Sequence, residues 1–369
     1  MIKRLFILLA LLAVLLYVVP TQSAEAIRGT PGSSEFGFGA LVDLGGQFVE
    51  DGIQLASNLQ LDWVKVEIPW AAVQPAKAKA IDWTHYESAF QSLAHYRLNV
   101  MVSITQPPSW SLTPLGPDPA LTMRFIQQLF QKFGPSISAI EIFPAANTRQ
   151  GWGAAPNPGA YMNLWKTINS SLAAAKSAVI LVAGGLVSGK TDSSNDQIDD
   201  MEFLQGMYAS GARDLVQVVS IQLQNPIGAP VTSPSQNEHR VLRHYEEIRQ
   251  VMLHNDHEKG MLWITGLGVP TNLENFGEPS SSVSQKQAAW LSQAFLQLRS
   301  QLYIGVAFLD SLNPGNSASS QSASLSLITQ TGDLHPAYRV LRDQIAQNAS
   351  GGSYPRPGRP KSETLVKGH

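Results

Sequence analysis

The sequence predicts an α/β protein that folds as a single closed (β/α)8 TIM barrel. Short apolar runs alternate with longer segments of helical period, as in parallel strands joined by crossover helices. The runs are apolar throughout and rich in Val and Ile, which is typical of strands buried on both faces. A doubly wound open sheet alternates in the same way, but eight evenly spaced strands followed by a final helix favour a closed barrel.

The predicted elements follow in chain order. Strands are predicted at Phe36–Val42, Trp63–Ile68, Asn99–Ile104, Ala139–Phe143, Ala178–Ala183, Val216–Gln222, Met261–Thr265 and Tyr303–Leu309. Helices are predicted at Trp83–Arg97, Ala120–Phe133, Pro158–Ala175, Met201–Tyr208, Glu238–His254, Ser284–Leu302 and Pro336–Gln347. Asp118-Pro119 and Asn157-Pro158 are start signals, because the polar side chain caps free backbone N–H groups and proline presets φ.

The two ends of the chain are predicted to lie outside the barrel domain, which is expected to cover residues 34–347. Met1–Arg4 is basic, and the apolar run Leu5–Val19 leads to the cleavage-like sequence Ala24-Glu-Ala26. The run is shorter than the roughly 20 residues that cross a bilayer, so residues 1–26 are predicted to be a signal peptide, with a retained N-terminal anchor as the alternative. Residues 348–369, rich in Gly, Ser, Pro and basic side chains, are predicted to be a disordered tail.

Composition and charge exclude several kinds of site. The chain of 369 residues has no cysteine, which excludes disulfides and thiolate metal sites. Its formal net charge is -2 and the predicted domain has no basic cluster, so nucleic acid is not expected as a partner. No metal or cofactor is expected.

Several motifs near the predicted strand ends carry a resemblance to a known family. They are Trp63-Val-Lys-Val-Glu-Ile-Pro-Trp70 with Val73-Gln-Pro75, Pro107-Pro-Ser-Trp110, Ala183-Gly-Gly-Leu186 and His335-Pro-Ala-Tyr338. In order and spacing they resemble the clan A glycoside hydrolases, the cellulase-like and β-xylosidase-like barrels, over nearly the whole predicted domain. Lys65 stands where that family usually has arginine. The resemblance implies an active site at the C-terminal ends of the strands.

The resemblance also implies a general acid/base glutamate on strand four, and this chain lacks it. The family reads Glu-Ile-Trp-Asn-Glu-Pro-Asn there, whereas this chain has Glu141-Ile-Phe-Pro-Ala-Ala-Asn147. An ungapped alignment places Pro144 on the family's asparagine and Ala145 on its acid/base.

The nucleophile implied on strand seven is missing as well. The family reads Thr-Glu-Phe-Gly, and this chain has Thr265-Gly-Leu-Gly268, so Gly266 stands at the nucleophile position. On strand six, Gln222 and Gln224 stand where the family's His and Tyr are expected. Glycoside hydrolysis needs two carboxylates that flank the scissile bond, and alanine and glycine supply neither.

Other acids near the strand ends are predicted to be structural or solvated. They are Asp43, Glu67 and Asp310, together with Glu274 and Glu278 after strand seven. A substitute catalytic pair would also have to meet the required carboxyl separation. Glu141 lies on the same side of strand four as Ala145 but about 13 Å deeper, too far from a sugar at the mouth.

Aromatic residues on the same loops indicate a sugar-binding surface. Trp70, Trp110, Trp152 and Phe143 are predicted to offer flat faces to sugar rings, and Asn147 to add a polar contact. Packing at the barrel rim is an equal alternative for Trp70 and Phe143. Trp110 and Trp152, on longer loops, are the stronger candidates.

One motif indicates a different function. Gly184-Gly-Leu-Val-Ser-Gly-Lys190-Thr191 matches the phosphate-binding P-loop pattern after an apolar strand. The residues that follow, Asp192–Asp196, are loop-like, whereas a P-loop needs a helix that begins at the Lys-Thr pair. A nucleotide site is therefore not predicted.

The sequence as a whole predicts an exported, extracellular or cell-surface, glycoside hydrolase-like barrel that is catalytically inactive and binds a polysaccharide or oligosaccharide. A membrane is a partner only if the N-terminal segment is retained. Two alternatives stay open: an active glycosidase or transglycosidase with relocated carboxylates, and a structural or protein-interaction barrel. The activity of the superfamily is hydrolysis of O-glycosyl bonds.

Overall fold

The computed structural model describes residues 27–192, 194, 196–224, 236–269, 280–315 and 325–350. Eight parallel strands in these residues form a closed barrel: β1 (Gly37–Leu41), β2 (Trp63–Pro69), β3 (Asn99–Thr105), β4 (Ile137–Ile142), β5 (Ile180–Val187), β6 (Val218–Gln224), β7 (Met261–Gly268) and β8 (Ile304–Leu309). Each strand pairs with its neighbours in the chain, and β1 closes the barrel against β8. The predicted fold class and all eight strands are confirmed, with ends that differ by a few residues.

Helices connect the strands on the outside of the barrel. They are α1 (Val49–Asn58), α2 (Thr84–His95), α3 (Pro119–Phe133), α4 (Pro158–Ala174), α5 (Asp200–Ala209), α6 (Gln236–His254), α7 (Ser280–Arg299) and α8 (Pro336–Ser350). The predicted caps are confirmed, because the Asp118 carboxylate accepts from the N–H of Leu121 and the Asn157 amide oxygen from that of Ala160. Among the described helices, none is long and apolar enough to cross a membrane.

Helix α1 is absent from the sequence prediction. Its N-cap residue Phe48 has φ 53 and makes no side-chain cap, and Gly52 interrupts its apolar pattern. Gly52 lies against Asn313, so that a Cβ there would be 3.3 Å from the Asn313 Cβ. At the other end of the chain, α8 continues to Ser350, past the predicted domain end at residue 347. The predicted signal segment 1–26 and the tail residues 351–369 lie outside the described residues.

Large apolar side chains fill the N-terminal half of the barrel interior. Trp63 and Trp263 meet edge to face with ring centroids 5.0 Å apart, and Phe308 packs against both. β1 contributes glycines at this level. A Cβ at Gly37 would lie 3.1 Å from the Trp63 ring, and one at Gly39 would collide with the ring of Phe308. Because the glycines of β1 have no side chains, they leave the volume that the aromatic rings occupy.

The segment before β1 packs against the N-terminal end of the barrel. The indole Nε1 of Trp63 donates to the carbonyl of Arg28 at 2.8 Å, and that of Trp263 donates to the carbonyl of Gly29 at 2.8 Å. A Cβ at Gly29 would lie 2.5 Å from the carbonyl oxygen of Gly305, so only glycine fits there. These contacts join residues ahead of position 34, the predicted start of the domain, to the barrel.

A buried histidine between two carboxylates joins α5 to α6. His244 Nε2 lies 2.5 Å from Asp200 Oδ2, and its Nδ1 lies 2.7 Å from Glu247 Oε2. Both ring nitrogens can donate only in the imidazolium form. Burial lowers the pKa of His244, but its hydrogen bonds and charge interactions with Asp200 and Glu247 outweigh this and raise the pKa above 6.5. The folded protein therefore favours the charged histidine.

We expect His244→Gln to lower the free energy of unfolding by about 2 kcal/mol near pH 6, because it removes the charged donor to a buried carboxylate. A raised folded-state pKa stabilises fully below the unfolded pKa, and the contribution is lost as pH rises through the folded pKa. The difference between variant and wild type should therefore shrink from pH 6 to pH 9 in urea denaturation. Arg243→Gln, which breaks an exposed pair with Glu246 on the same helix, is the control and should change little. An effect of His244→Gln that is independent of pH would contradict the assignment.

Candidate functional site

The candidate site lies at the C-terminal ends of the strands, where barrels of this kind place their ligands. The described part of this mouth comprises the strand ends and the loops after β1 to β4. Residues 225–235, 270–279 and 316–324, which follow β6, β7 and β8, lie outside the described residues. Glu274 and Glu278, predicted to be structural or solvated, are among them.

A buried ion pair occupies the barrel interior beneath the mouth. Lys65 Nζ on β2 lies 3.7 Å from Glu141 Oε2 on β4, and the two side chains are 5% and 0% exposed. Glu141 Oε2 also accepts from Ser103 on β3 at 2.5 Å. Its Oε1 accepts from Ser220 on β6 at 2.8 Å and from Thr265 on β7 at 2.7 Å. Side chains from five strands therefore meet at one carboxylate, and both of its oxygens are satisfied.

Lys65 is a fixed positive charge. Its Nζ donates to the backbone carbonyl of Thr265 at 3.0 Å and lies 3.4 Å from Glu67 Oε1. Burial lowers its pKa, but the charges of Glu141, Glu67 and Asp310 together outweigh burial and raise the pKa above the usual 10.5. Lys65 therefore keeps its proton at neutral pH and does not serve as a base or a nucleophile.

The loop after β4 folds over Glu141. Phe143 and Ala145 have φ 47 and 60, and the Ala145 N–H donates to the Gly185 carbonyl at 2.8 Å. A Cβ at Gly185 would lie 2.6 Å from Pro144 Cβ and 3.0 Å from Glu141 Oε1. Glycine on β5 thus lets Pro144 approach the carboxylate. Ala145, at the position of the implied acid/base, contributes only a methyl group.

The implied nucleophile position on β7 has no side chain. Gly266 is buried and pairs with Gln222 on β6. The Gln222 amide donates to the Gly185 carbonyl at 3.0 Å, so it ties β6 to β5. The side chain of Gln224 lies outside the described residues.

Three acids lie at the ends of the neighbouring strands β8, β1 and β2, and we call Asp43, Glu67 and Asp310 the acidic cluster. Leu41 pairs with Lys65 and Ala40 with Leu309. Continuing this register places Asp43 beside Glu67, and Asp310 beside Leu41. Neighbouring strands are about 4.8 Å apart, so the backbones of Lys65 and Asp310 are separated by about 10 Å across β1, and Glu67 lies two residues closer to the mouth than Lys65. The sequence predicts that these acids are structural or solvated, and the structure places them on adjoining strands.

Two groups in this region are poorly hydrated. Burial raises the pKa of Asp43, although the backbone N–H groups of Gly45 and Gly46 partly offset it. Tyr86 on α2 is 8% exposed. Burial, and then the charges of Asp43 and Glu67, raise its pKa to about 12. The described chain contains no group of three or more His, Asp or Glu side chains that could hold a metal ion.

Trp110 is partly exposed, and it is oriented by Trp70. The Trp70 ring is 1% exposed, stacks on Phe125 with centroids 4.8 Å apart and donates to Gln74 Oε1 at 3.0 Å. The Trp110 ring meets it edge to face at 5.3 Å and donates to the Gln74 carbonyl at 3.2 Å. Of the two roles predicted for Trp70, sugar contact and packing at the barrel rim, the structure shows packing. Trp110 keeps an accessible surface.

Phe143, Trp152 and Asn147 are interior residues in this structure. Phe143 and Trp152 are 0% and 1% exposed, with rings 6.0 Å apart, and Trp152 donates to the Leu115 carbonyl at 2.9 Å. Asn147 is fully buried. Its amide nitrogen donates to the carbonyls of Val187 and Ile198 at 2.8 and 2.9 Å, and its oxygen accepts from the Val187 N–H. A sugar would reach these predicted contact residues only if the loops moved.

The P-loop-like segment is a bulged strand. Gly184 and Gly185 have φ 106 and 51, and the pairing of β5 with β6 shifts register between Ala183 and Leu186. The Gly185 N–H donates to Ser220 Oγ at 2.7 Å. Lys190 is exposed in a loop, and α5 does not begin until Asp200. The glycines therefore form a β-bulge beside Glu141, and the helix that a P-loop requires is not present at Thr191.

Comparison with solved structures identifies proteins of the same fold. A family 39 glycoside hydrolase from the gut symbiont Bacteroides cellulosilyticus is 15% identical, with a TM-score of 0.59 over 84% of this chain. This chain spans 63% of that protein. Variants of family 5, subfamily 18 glycoside hydrolases from Bifidobacterium longum subsp. longum and Streptomyces cattleya, each in complex with Manβ1-4GlcNAc, are 14% and 13% identical. Their TM-scores are 0.61 and 0.63, over 85% and 88% of this chain and 78% and 83% of theirs.

No protein-family model and no curated protein sequence matches this chain. At these sequence identities the structural likeness establishes the fold alone, a closed (β/α)8 barrel like those of the glycoside hydrolases named above. The activity, the substrate and the partners of this chain are matters for proposal.

We expect Lys65→Met to lower the free energy of unfolding by about 3 kcal/mol, because it leaves the Glu141 carboxylate buried without a counter-charge. Glu141→Gln should cost less, because the Lys65 ammonium keeps Glu67 at 3.4 Å and the Thr265 carbonyl at 3.0 Å as partners. The double variant should lose clearly less stability than the two single losses add up to. Urea denaturation of the wild type, the two single variants and the double variant measures this difference as a coupling energy. Additive losses would contradict the ion pair.

Proposed function

We propose that this protein is an exported, catalytically inactive glycoside hydrolase-like barrel that binds a polysaccharide or oligosaccharide. One observation carries the proposal: Ala145 and Gly266 stand at the two strand ends where the resemblance implies catalytic glutamates. Hydrolysis requires carboxyl groups about 5 to 5.5 Å apart in retaining enzymes and about 6.5 to 9.5 Å apart in inverting ones. A methyl group and a hydrogen atom provide neither a proton donor nor a nucleophile.

The remaining acid on β4 does not substitute for the missing one. Glu141 is 0% exposed, its oxygens accept three hydroxyl hydrogen bonds, and Lys65 provides its counter-charge. Pro144 and Glu141 both lie against Gly185 on β5, where an added Cβ would be 2.6 Å from Pro144 Cβ and 3.0 Å from Glu141 Oε1. A carboxylate with all of its partners inside the protein cannot protonate a leaving group at the mouth.

The proposal includes export, which is supported by the basic start and the apolar run Leu5–Val19. An extracellular or cell-surface location follows from a segment of this kind, whether it is cleaved or retained. In the retained form the membrane is an additional partner. Glycans are abundant in either place, which suits a barrel that binds them without cleaving them.

Trp110 is the residue through which we expect a sugar to be held. It lies in the loop after β3, and its ring is fixed edge to face on Trp70. A rigid, partly exposed indole loses little conformational entropy on binding and offers an apolar face to a sugar ring.

We expect Trp110→Ala to weaken binding of a glycan identified on an array by about tenfold, which corresponds to the loss of roughly 1.4 kcal/mol of stacking. Trp110→Phe keeps an aromatic face and should retain most of the affinity. Calorimetric titration of both variants against the wild type tests this, with thermal unfolding as a check on folding. If the wild type binds none of a broad set of glycans, glycan binding is wrong and the structural or protein-interaction barrel is favoured.

The acidic cluster favours a second candidate, an active glycosidase with relocated carboxylates. The Glu67 side chain is 43% exposed, and its Oε1 lies 3.4 Å from Lys65 Nζ. Asp310 is half-buried on the far side of β1, level with Lys65, and Glu67 lies two residues closer to the mouth. Side chains converging across β1 could reach the separation that an inverting mechanism needs.

A panel of aryl glycosides and polysaccharides, assayed with wild type, Glu67→Gln and Asp310→Asn, separates the two candidates. We expect the wild type to hydrolyse none of them faster than the buffer blank. Turnover by the wild type that falls at least about a hundredfold in either variant would establish the second candidate, since a general acid or base contributes about that much. Turnover that both variants retain indicates a contaminating enzyme.

A further inference from the structure

We propose that Gln106 is the polar partner of Trp110 at the mouth, and that the two side chains together bind one neutral sugar unit. The inference rests on the proposed glycan binding, and it specifies a second contact residue and the chemical class of the sugar. Three features carry it: the backbone conformation of Gln106, the short helix that both residues contact, and the uncharged loop to which they belong.

Gln106, which directly follows β3, has a backbone conformation that favours glycine. Its φ is 50, in the left-handed region where a side chain costs energy and glycine does not. Other non-glycine residues of the described chain share this conformation because each lies two residues past the end of a helix, where it terminates the helix. These are Gln60, Arg97, Lys176 and Asp256. Gln106 terminates no helix, so its conformation has a different origin.

The backbone of Gln106 is held by a hydrogen bond and by the prolines that follow it. Its carbonyl accepts from the N–H of Ala71 at 2.9 Å, and Pro107 and Pro108 have restricted φ. The Gln106 side chain is exposed, so it contributes little to packing. The fold therefore uses the backbone of this residue, while its side-chain amide is accessible to a ligand.

Gln106 and Trp110 contact the two ends of one short helix, Trp70–Val73. Gln106 binds the N–H of Ala71 in its first turn, and the Trp110 indole donates to the carbonyl of Gln74, which caps it. The helix rise and the two hydrogen bonds together span about 10 Å. A sugar ring stacked on Trp110 therefore lies within reach of a side chain as long as glutamine.

The loop that carries both residues is uncharged. Gln106–Pro117 contains no Asp, Glu, Lys, Arg or His. A neutral amide has two N–H donors and a carbonyl acceptor, so it can bind adjacent hydroxyls of one sugar while the indole covers the apolar face of the ring. An ionised sugar would find no counter-charge on this loop, so the ligand class that fits is a neutral sugar.

The first test measures the response of binding to charge. The full chain is titrated by calorimetry with the neutral oligosaccharide that binds it best on an array, and with a uronic-acid oligomer of the same length. We expect the neutral oligomer to bind at least about tenfold more tightly. Its affinity should change less than about twofold when sodium chloride is added, because no charge interaction is screened.

Variants assign the polar contact to Gln106. Gln106→Met keeps the length of the side chain and removes the amide, so it should weaken binding of the neutral oligomer about fivefold. Gln60→Met is the matched control. It makes the same change at an exposed glutamine with φ 57 that follows α1, at the opposite end of the barrel, and should bind like the wild type.

A pair of glycine variants separates binding from stability. Gln106→Gly and Gln60→Gly both place glycine in a conformation that suits it, so their thermal unfolding midpoints should shift by similar amounts. Only Gln106→Gly should weaken binding, again by about fivefold. Equal loss of affinity in both variants would indicate a general effect on folding and would contradict a contact at Gln106.

A double variant tests whether the two side chains hold the same sugar unit. If Trp110 positions the sugar for Gln106, then Gln106→Met should cost less than about twofold in the Trp110→Ala background. A full fivefold loss in that background would mean that the two residues bind separate units, which overturns the proposed pair.

Two further results overturn the inference in distinguishable ways. Wild-type affinity in Gln106→Met and Gln106→Gly, or binding restricted to ionised glycans, refutes the role of Gln106 and leaves glycan binding intact. Failure to bind any glycan on the array refutes the proposed function itself.

Discussion

The rest of the structure depends on the ion pair between Lys65 and Glu141. Removing two charges from water costs several kcal/mol for each ion, and mutual attraction offsets this only when the remaining hydrogen bonds are made. Here hydroxyls from β3, β6 and β7 make them. A slip of one residue in any of these strands would turn its polar side chain to the other face. The pair therefore couples the register of five strands and explains why alanine, proline and glycine are accommodated around it.

This pair also determines the character of the mouth. Below it, Trp63, Trp263 and Phe308 fill the barrel, so the interior is a packed core rather than a channel. Above it, the ammonium is shared with Glu67, and the acids at the ends of β1 and β8 extend the negative region toward solvent. Ala145 and Gly266 stand where the resemblance implies catalytic glutamates, and the same end of the barrel presents charged groups and the partly exposed ring of Trp110. Binding and catalysis are separable in such a site.

Most of the fold, but only part of the candidate site, could be predicted from the sequence. Apolar runs located all eight strands, because strands buried on both faces have a strong compositional signal. Helix α1 was missed because Phe48 makes no cap and Gly52 breaks the pattern. Alternation on β2 shows that Lys65 and Glu67 share a face, but only the register between strands shows that Asp310 lies two strands away. The burial of Trp152 was equally hidden, since it depends on a contact with Leu115, far away in the chain.

The attachment of the segment before β1 has a practical consequence. Arg28 and Gly29 are bonded to the indoles of Trp63 and Trp263 at the pole of the barrel opposite the mouth. Anything joined ahead of residue 27, whether a cellular tether or a laboratory affinity tag, is therefore connected at the rear of the molecule. Immobilised through that point, the protein would direct the open end of its barrel into the surrounding medium.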